Sequence, residues 1–331
     1  MLMYVYVHCA FSSLFALLSR KAHLRAKVST RRFLWAGLLL WAPTGFGLSV
    51  IDDLGREVRL VGPAERVVAL SPHLTELVYA VGAQDRLMGV AAHSDYPPEA
   101  ARLPRVGDHA GLDYERLLSL KPDLVLVWAS GSGAAVMRHL ERLGLNLYSS
   151  EPRELEDVAA GLERLGVLTG NVAQAQAAAR DFRRRRDALE AGYAGRAPVS
   201  VFYEIWRRPL MTVNGEHLIS RVLALCGGRN VFAHLSGLAP QLDVEAVLEA
   251  DPEVIFAGGG DDRSAEWLRD WRRWPRLRAV RGGHLYVVDP DHMQRPTPRI
   301  LLGAERVCAR LDRARASFGF LHDQEDVPER L

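Results

Sequence analysis

Short apolar runs recur along the chain and constrain its fold more than any other feature of the sequence. The clearest are Arg66–Leu70, Asp123–Trp128, Val199–Tyr203 and Val254–Ala257, each followed by a helical pattern of apolar residues. None of them alternates polar with apolar residues, so each strand is expected to be buried on both faces. Such strands, separated by helices, are typical of parallel sheets covered by helices on either side. The sequence therefore predicts an α/β protein.

The strand–helix units fall into two groups on either side of a helical segment. The first group covers residues 50–150 and the second covers 196–315, whereas residues 151–195 are helical in composition. A helix predicted at about 172–193 would be about 33 Å long. We therefore predict two Rossmann-like lobes joined by one long, rigid backbone helix, with residues 316–331 as a loose polar tail.

Two details of the sequence bear on this organisation. Asn171, followed three residues later by Gln174, predicts a capping pair at the start of the long helix. Glu115 stands seven residues before a Pro-Asp pair and an apolar strand, and Glu245 stands seven residues before a Pro-Glu pair and an apolar strand. This repetition, 130 residues apart, indicates that the two lobes are duplicated.

The first 49 residues have the pattern of an export signal. Their charged residues are all basic, and the apolar run Phe33–Trp41 precedes small residues that would allow cleavage near Gly47 or Ser49. That run is too short to span a bilayer, so we predict a soluble exported protein. A second apolar run, Met1–Ser19, is explained either by a start codon assigned too early or by an N-terminal membrane anchor.

Composition excludes several classes of protein. With 48% apolar and 25% charged residues, the chain is neither disordered nor a polytopic membrane protein. The formal net charge is +2, but the basic leader accounts for more than that excess, and the remainder is slightly acidic. Nonspecific nucleic-acid binding needs clustered positive charge, so no nucleic-acid partner is expected.

Two cysteines, Cys226 and Cys308, remain after removal of the leader. An even number of cysteines in an oxidising compartment favours a disulfide, which would close a loop of about 80 residues and stabilise the fold by about 4 kcal/mol. The alternative is a pair of buried thiols.

The common catalytic motifs are missing from the sequence. It contains no P-loop, no H-E-x-x-H zinc motif and no G-x-S-x-G nucleophile elbow. An exported α/β protein with two lobes and no catalytic constellation is most simply a binding protein that holds its ligand in a cleft between the lobes. We therefore predict that it is not an enzyme.

Several segments together resemble one family, the helical-backbone periplasmic substrate-binding proteins of ABC importers, and within it the members that bind cobalamin (vitamin B12). The resemblance covers about Asp53 to Asp312 and rests on the segments Arg66–Pro72 with Thr75–Leu77, His93–Pro98, Leu120–Val125, Cys226–Gly228 with Asn230–Phe232, and Pro298–Ile300. It implies a monomer that captures cobalamin or a related corrinoid, has no cofactor of its own, and delivers the ligand to the transmembrane subunits of an importer and their ATPase.

The resemblance also implies roles for particular residues. It pairs Cys226 with Cys308 in a disulfide, and it assigns Glu115 and Glu245 as the two acids, one in each lobe, that dock on the membrane permease. The alternative interpretation of either glutamate is an exposed acid at a helix start, where the helix dipole favours negative charge.

The ligand is less strongly constrained than the family. The residues that the resemblance and their positions in the sequence place at the cleft are Pro72, His73, His93, His109, Tyr203, Trp206, His292 and Arg295. Aromatic residues line the cleft of cobalamin-binding relatives, whereas this chain has His93, His109, Ala239 and His292 at matching positions. Those three histidines are candidate metal ligands, so haem, a ferric siderophore or a histidine-ligated metal is the alternative cargo.

One further alternative belongs to another functional class. An exported metal-dependent hydrolase would use the cleft histidines together with a carboxylate base. Asp95, Asp108 and Asp291 lie close enough to these histidines in sequence to supply one.

Overall fold

The structure is a computed structural model that describes residues 47–108, 111–317 and 319, with the backbone only for residues 261–264. Along the chain the strands are β1 (Leu48–Ile51), β2 (Glu57–Leu60), β3 (Val67–Ala69), β4 (Leu87–Val90), β5 (Gly107–Asp108), β6 (Gly111–Leu112), β7 (Leu124–Trp128), β8 (Leu147–Ser150), β9 (Val199–Glu204), β10 (Gly228–Asn230), β11 (Val254–Ala257) and β12 (Leu285–Val287). The α-helices are α1 (Pro72–Ala80), α2 (Tyr114–Ser119), α3 (Ala129–Arg142), α4 (Leu155–Thr169), α5 (Val172–Tyr193), α6 (Leu218–Leu225), α7 (Val244–Ala250), α8 (Asp261–Trp271), α9 (Arg278–Arg281), α10 (Pro290–Met293) and α11 (Ile300–Ser317).

Two four-stranded parallel sheets form the centres of two lobes. The order is β4-β3-β7-β8 in the first sheet and β10-β9-β11-β12 in the second. In both sheets the first strand along the chain lies between the second and the third, and the fourth lies at the edge beyond the third. This identical order confirms the predicted α/β class and agrees with a duplicated lobe. The pairs β1–β2 and β5–β6 are short antiparallel additions that were not predicted.

The long helix α5 spans Val172–Tyr193, in agreement with the prediction. It buries Ala175, Ala179 and Phe182 and packs along α4. The predicted capping role of Asn171 is wrong, since its side chain accepts no cap hydrogen bond. Its Nδ2 instead donates to the carbonyl oxygens of Val81 and Gly82, at 3.1 and 2.6 Å. Asn171 therefore ties the start of the long helix to the end of α1.

Both ends of the folded region differ slightly from the predicted boundaries. Strand β1 begins at Leu48, which pairs with Leu60, so the folded region starts before residue 50. Helix α11 continues to Ser317, past the predicted start of the tail at 316. The fully buried Arg315 holds this last turn, because its Nε and Nη2 donate to the carbonyl oxygens of Ala197 and Cys226, at 2.7 and 2.6 Å. The rest of the predicted tail and leader lies outside the described residues.

A disulfide joins Cys226, which directly follows α6, to Cys308 in α11, with an S–S distance of 1.96 Å and a Cα–Cα distance of 4.7 Å. Both residues are fully buried. The predicted pairing is thus confirmed, and it fastens the last helix to the second lobe.

No helix in the described part of the chain is long and apolar enough to cross a membrane.

Candidate ligand-binding site

A cavity of about 280 Å³ opens between the two lobes. Its walls follow the carboxyl ends of the parallel strands, where open α/β sheets bind ligands. The lining residues are Ser71, Pro72 and His73 after β3; Trp128 and Ser130 at the end of β7; Glu151, Pro152 and Arg153 after β8; Ile205, His217, Leu218 and Leu238 after β9 and β10; and Pro290, Asp291 and Met293–Pro296 after β12. Both lobes therefore contribute to one cleft.

His73 is the most unusual residue of this wall. It is 2% exposed, its Nδ1 lies 2.7 Å from the Ser71 hydroxyl, and its Nε2 has no hydrogen-bond partner in the described structure. Its ring meets the Trp128 ring edge-on, with centroids 5.6 Å apart. Burial, with a smaller contribution from the nearby Arg295 charge, lowers the pKa of His73 to about 3. The imidazole is therefore neutral and has one free ring nitrogen.

The lowered pKa of His73 predicts an acid-sensitive fold. Between about pH 6.5 and pH 3 the unfolded chain binds a proton that the folded chain refuses, so the free energy of unfolding falls as the pH falls, with a limiting slope of about 1.4 kcal/mol per pH unit. We expect His73→Asn to reduce this slope by up to about 1.4 kcal/mol per pH unit and to leave the contribution of His217, whose pKa burial lowers to about 4. Substitution of the exposed His234 should leave the slope unchanged. Urea titrations across this pH range measure it, and parallel curves for H73N and wild type would contradict it.

Arg295 crosses the cleft at the centre of a charged network. Its Nη1 lies 3.0 Å from Glu76 Oε1 and 2.9 Å from Asp95 Oδ1, both in the first lobe, and its Nη2 lies 2.8 Å from Asp291 Oδ1. Arg299 also binds Glu76, with Nη2 and Oε1 2.7 Å apart, and its guanidinium is 3.7 Å from the centre of the Tyr96 ring. These contacts join the two lobes beside the cavity.

The candidate histidine ligands are not brought together. His93 is exposed, and only its backbone carbonyl contacts Arg295, at 3.3 Å. His292 lies in the wall of a second cavity, with its Nδ1 3.1 Å from Asp289 Oδ2, because it projects from the opposite side of α10. His109 lies outside the described residues. Within the described ranges, no cluster of three or more His, Cys, Asp or Glu residues could hold a metal ion.

The two predicted aromatic residues also lie away from the cavity wall. Tyr203 is fully buried in the core of the second lobe. Trp206 is 47% exposed and packs edge-on against Trp267, one residue beyond the lining residue Ile205. The aromatic ring that does line the cleft is Trp128, which was predicted only as the last residue of a strand.

The three carboxylates of the hydrolase alternative are not arranged to act as a general base beside a metal ion. Asp95 and Asp291 both pair with Arg295. Asp108 is exposed in strand β5. The network to which Asp95 and Asp291 belong includes Glu76, which lies in one of the segments that carry the family resemblance but was not predicted to lie at the cleft.

Glu115 and Glu245 occupy equivalent positions in the two lobes. Each is exposed, each is the second residue of a short helix, and each helix precedes the third strand of its sheet. An aspartate, Asp113 or Asp243, stands at the N-cap of each helix. In the described structure neither glutamate forms an ion pair, so both carboxylates are available to a partner.

The comparisons with known proteins agree with this architecture. Residues 67–292 match the family model described as periplasmic binding protein. The chain is 38% identical to the vitamin B12-binding protein of Vibrio cholerae over 249 residues, which is 75% of this chain and 90% of that protein.

Solved structures give the same result. The periplasmic vitamin B12 binding protein of Vibrio cholerae matches with a TM-score of 0.72 and 38% identity, over 76% of this chain and 98% of that one. A periplasmic haem-binding protein from Pseudomonas aeruginosa matches with a TM-score of 0.63 and 28% identity, over 74% and 92% of the two chains. With its duplicated lobes, long helix and interlobe cavity, this chain belongs to the periplasmic binding protein family.

Proposed function

We propose that this protein binds cobalamin or a related corrinoid in the periplasm and delivers it to an ABC importer. The observation that carries the proposal is the 38% identity to a vitamin B12-binding protein, together with an interlobe cavity built from the same region of the chain. The wall supports it chemically, because Trp128, Pro72, Ile205 and Met293 offer apolar surface to a large ring. No catalytic step is part of the proposal.

The size of the cavity bears on how a corrinoid would be held. At about 280 Å³ it lies just below the range of about 300–1,000 Å³ typical of small-molecule pockets. A corrinoid is larger than the ligands that such pockets hold, so we propose that it extends beyond the present cavity. Side chains at the rim, Trp206 and His93 among them, would then contact it. The Arg295 network beside the cavity would have to adjust.

Calorimetric titration with cyanocobalamin tests the ligand. We expect binding of one cyanocobalamin per chain, weakened by about tenfold or more in Trp128→Ala because an aromatic contact with the ring is lost. Trp274→Ala, a change to a tryptophan of the second lobe that does not line the cavity, is the matched control. Absence of heat from cyanocobalamin, or equal losses in both variants, would contradict the proposal.

Haem is the second candidate ligand, and one observation favours it. The free Nε2 of His73 is a neutral nitrogen in the cavity wall, of the kind that ligates iron. If haem is the cargo, haemin should give a Soret shift that His73→Asn removes, and cyanocobalamin should not compete.

Delivery is proposed to depend on Glu115 and Glu245, through contact with basic residues of the transmembrane subunits. Replacing both by alanine should abolish uptake in cells while ligand affinity stays unchanged, since neither residue lines the cavity. The control is Glu99→Ala with Glu249→Ala, which removes one exposed acid from each lobe. Normal uptake by E115A/E245A would refute the docking role.

A further inference from the structure

A second cavity, of about 220 Å³, lies on the second lobe behind α10. Three arginines of α11, Arg306, Arg310 and Arg313, form one wall, and His292 and Asp289 stand opposite. The arginines are spaced by four and three residues, which places them on one face of the helix. The interlobe cleft is on the other side of α10, lined by Asp291 and Met293.

The positive charge of this cavity is largely uncompensated. In the described structure Arg310 and Arg313 form no ion pair, and Arg306 lies 3.9 Å from Asp289 Oδ2. Asp289 is already engaged, because its Oδ1 accepts from the Asp291 amide at 2.9 Å and its Oδ2 lies 3.1 Å from His292 Nδ1. Three guanidinium groups thus face one carboxylate.

The cavity is also shaped by the backbone. A Cβ at Gly303 would lie 2.4 Å from the His292 carbonyl oxygen and 2.7 Å from Met293 Sδ, so only glycine lets α10 approach α11 this closely. Arg310 is held with its guanidinium 4.8 Å from the centre of the Tyr286 ring. Packing against Tyr286 therefore positions Arg310, whereas the side chains of Arg306 and Arg313 are exposed.

We propose that this cavity binds a phosphate group. Guanidinium groups pair with phosphate oxygens through parallel hydrogen bonds, and an anion with one or two negative charges would offset the charge excess of the wall. The phosphate can belong to a free ion or to a lipid headgroup, and the two sources bind through the same chemistry. The proposal is independent of the ligand held in the interlobe cleft.

The test uses the full exported chain and a matched control. Titration with inorganic phosphate at constant ionic strength should show one saturable site, weakened at least about tenfold in R306Q/R310Q/R313Q. The control R272Q/R273Q/R276Q removes the same charge from exposed arginines elsewhere in the second lobe and should bind as wild type does.

Vesicles of phosphatidylcholine with phosphatidylglycerol distinguish the source. If a lipid headgroup is the occupant, wild type and the control should sediment with these vesicles, and the triple cavity variant should not. If the cavity accepts only free phosphate, the titration should show phosphate binding and the wild type should not sediment with the vesicles. The proposal is overturned if neither probe binds, or if the cavity and control variants lose binding equally while circular dichroism shows both folded.

Discussion

Replacing Cys226 and Cys308 together by alanine is expected to lower the free energy of unfolding by about 4 kcal/mol. The disulfide links residues 82 positions apart, and a cross-link of that length removes much of the conformational entropy of the unfolded chain. Both cysteines are fully buried, and Cys226 directly follows α6 beside the Arg315 contact. The variant therefore also loses the covalent link that holds α11 on the second lobe.

Urea unfolding of the wild type and of C226A/C308A measures this effect. Reduced wild-type protein is the matched comparison, because it lacks the link but keeps both sulfur atoms in the core. Similar losses in the variant and in the reduced protein would assign the effect to the cross-link. A loss below about 1 kcal/mol in both would contradict the expectation.

Glu76→Ala is expected to lower the free energy of unfolding by about 3 kcal/mol. The Glu76 side chain is 2% exposed and binds Arg295 and Arg299, whose side chains are 13% and 16% exposed. Removing one partner of a buried ion pair leaves charge without compensation and typically costs about 3–5 kcal/mol. We expect the lower end of this range because Asp95 and Asp291 still pair with Arg295 in the variant. The loss should appear as a cooperative shift of the whole transition, because the network joins the two lobes.

The matched control is Glu99→Ala, an exposed acid of the same lobe without an ion pair in the described structure, which should change stability by less than about 0.5 kcal/mol. A double-mutant cycle with Arg299→Ala should give a coupling energy of about 1–3 kcal/mol, since the two side chains are in direct contact. Additive losses would show that Glu76 stabilises the fold by some route other than this pair.

Much of the fold follows from local features of the sequence. Continuous apolar runs identify the central strands of both sheets, and the break at Gly170 separates α4 from α5, because a left-handed residue there ends the first helix. The repeated Glu-to-Pro spacing reveals the duplicated lobes before the common strand order is known. The hairpin β1–β2 was not predicted, because four-residue strands carry little periodic signal.

The site was only partly predictable, since its residues come together from distant parts of the chain. Glu76 and Arg295 are 219 positions apart, and nothing local marks them as partners. His292 and Met293 are adjacent, yet they line different cavities, because one step along a helix turns the side chain by about 100°. Tyr203 was assigned to the cleft, but a strand covered on both faces gives no sign of which side chains reach its end.

The sequence by itself therefore determined the class of fold and the family, because these depend on residue patterns within short segments. It favoured the disulfide between Cys226 and Cys308, and the tertiary structure brings the two cysteines together. The cleft positions of Pro72, His73 and Arg295 were predicted correctly. The tertiary structure alone decided that Trp128 lines the cleft, that Glu76 lies beside it, and that His292 faces a separate basic cavity. The physical reason is that the direction of a side chain depends on how helices and strands pack in three dimensions, and the pattern within each element leaves that packing open.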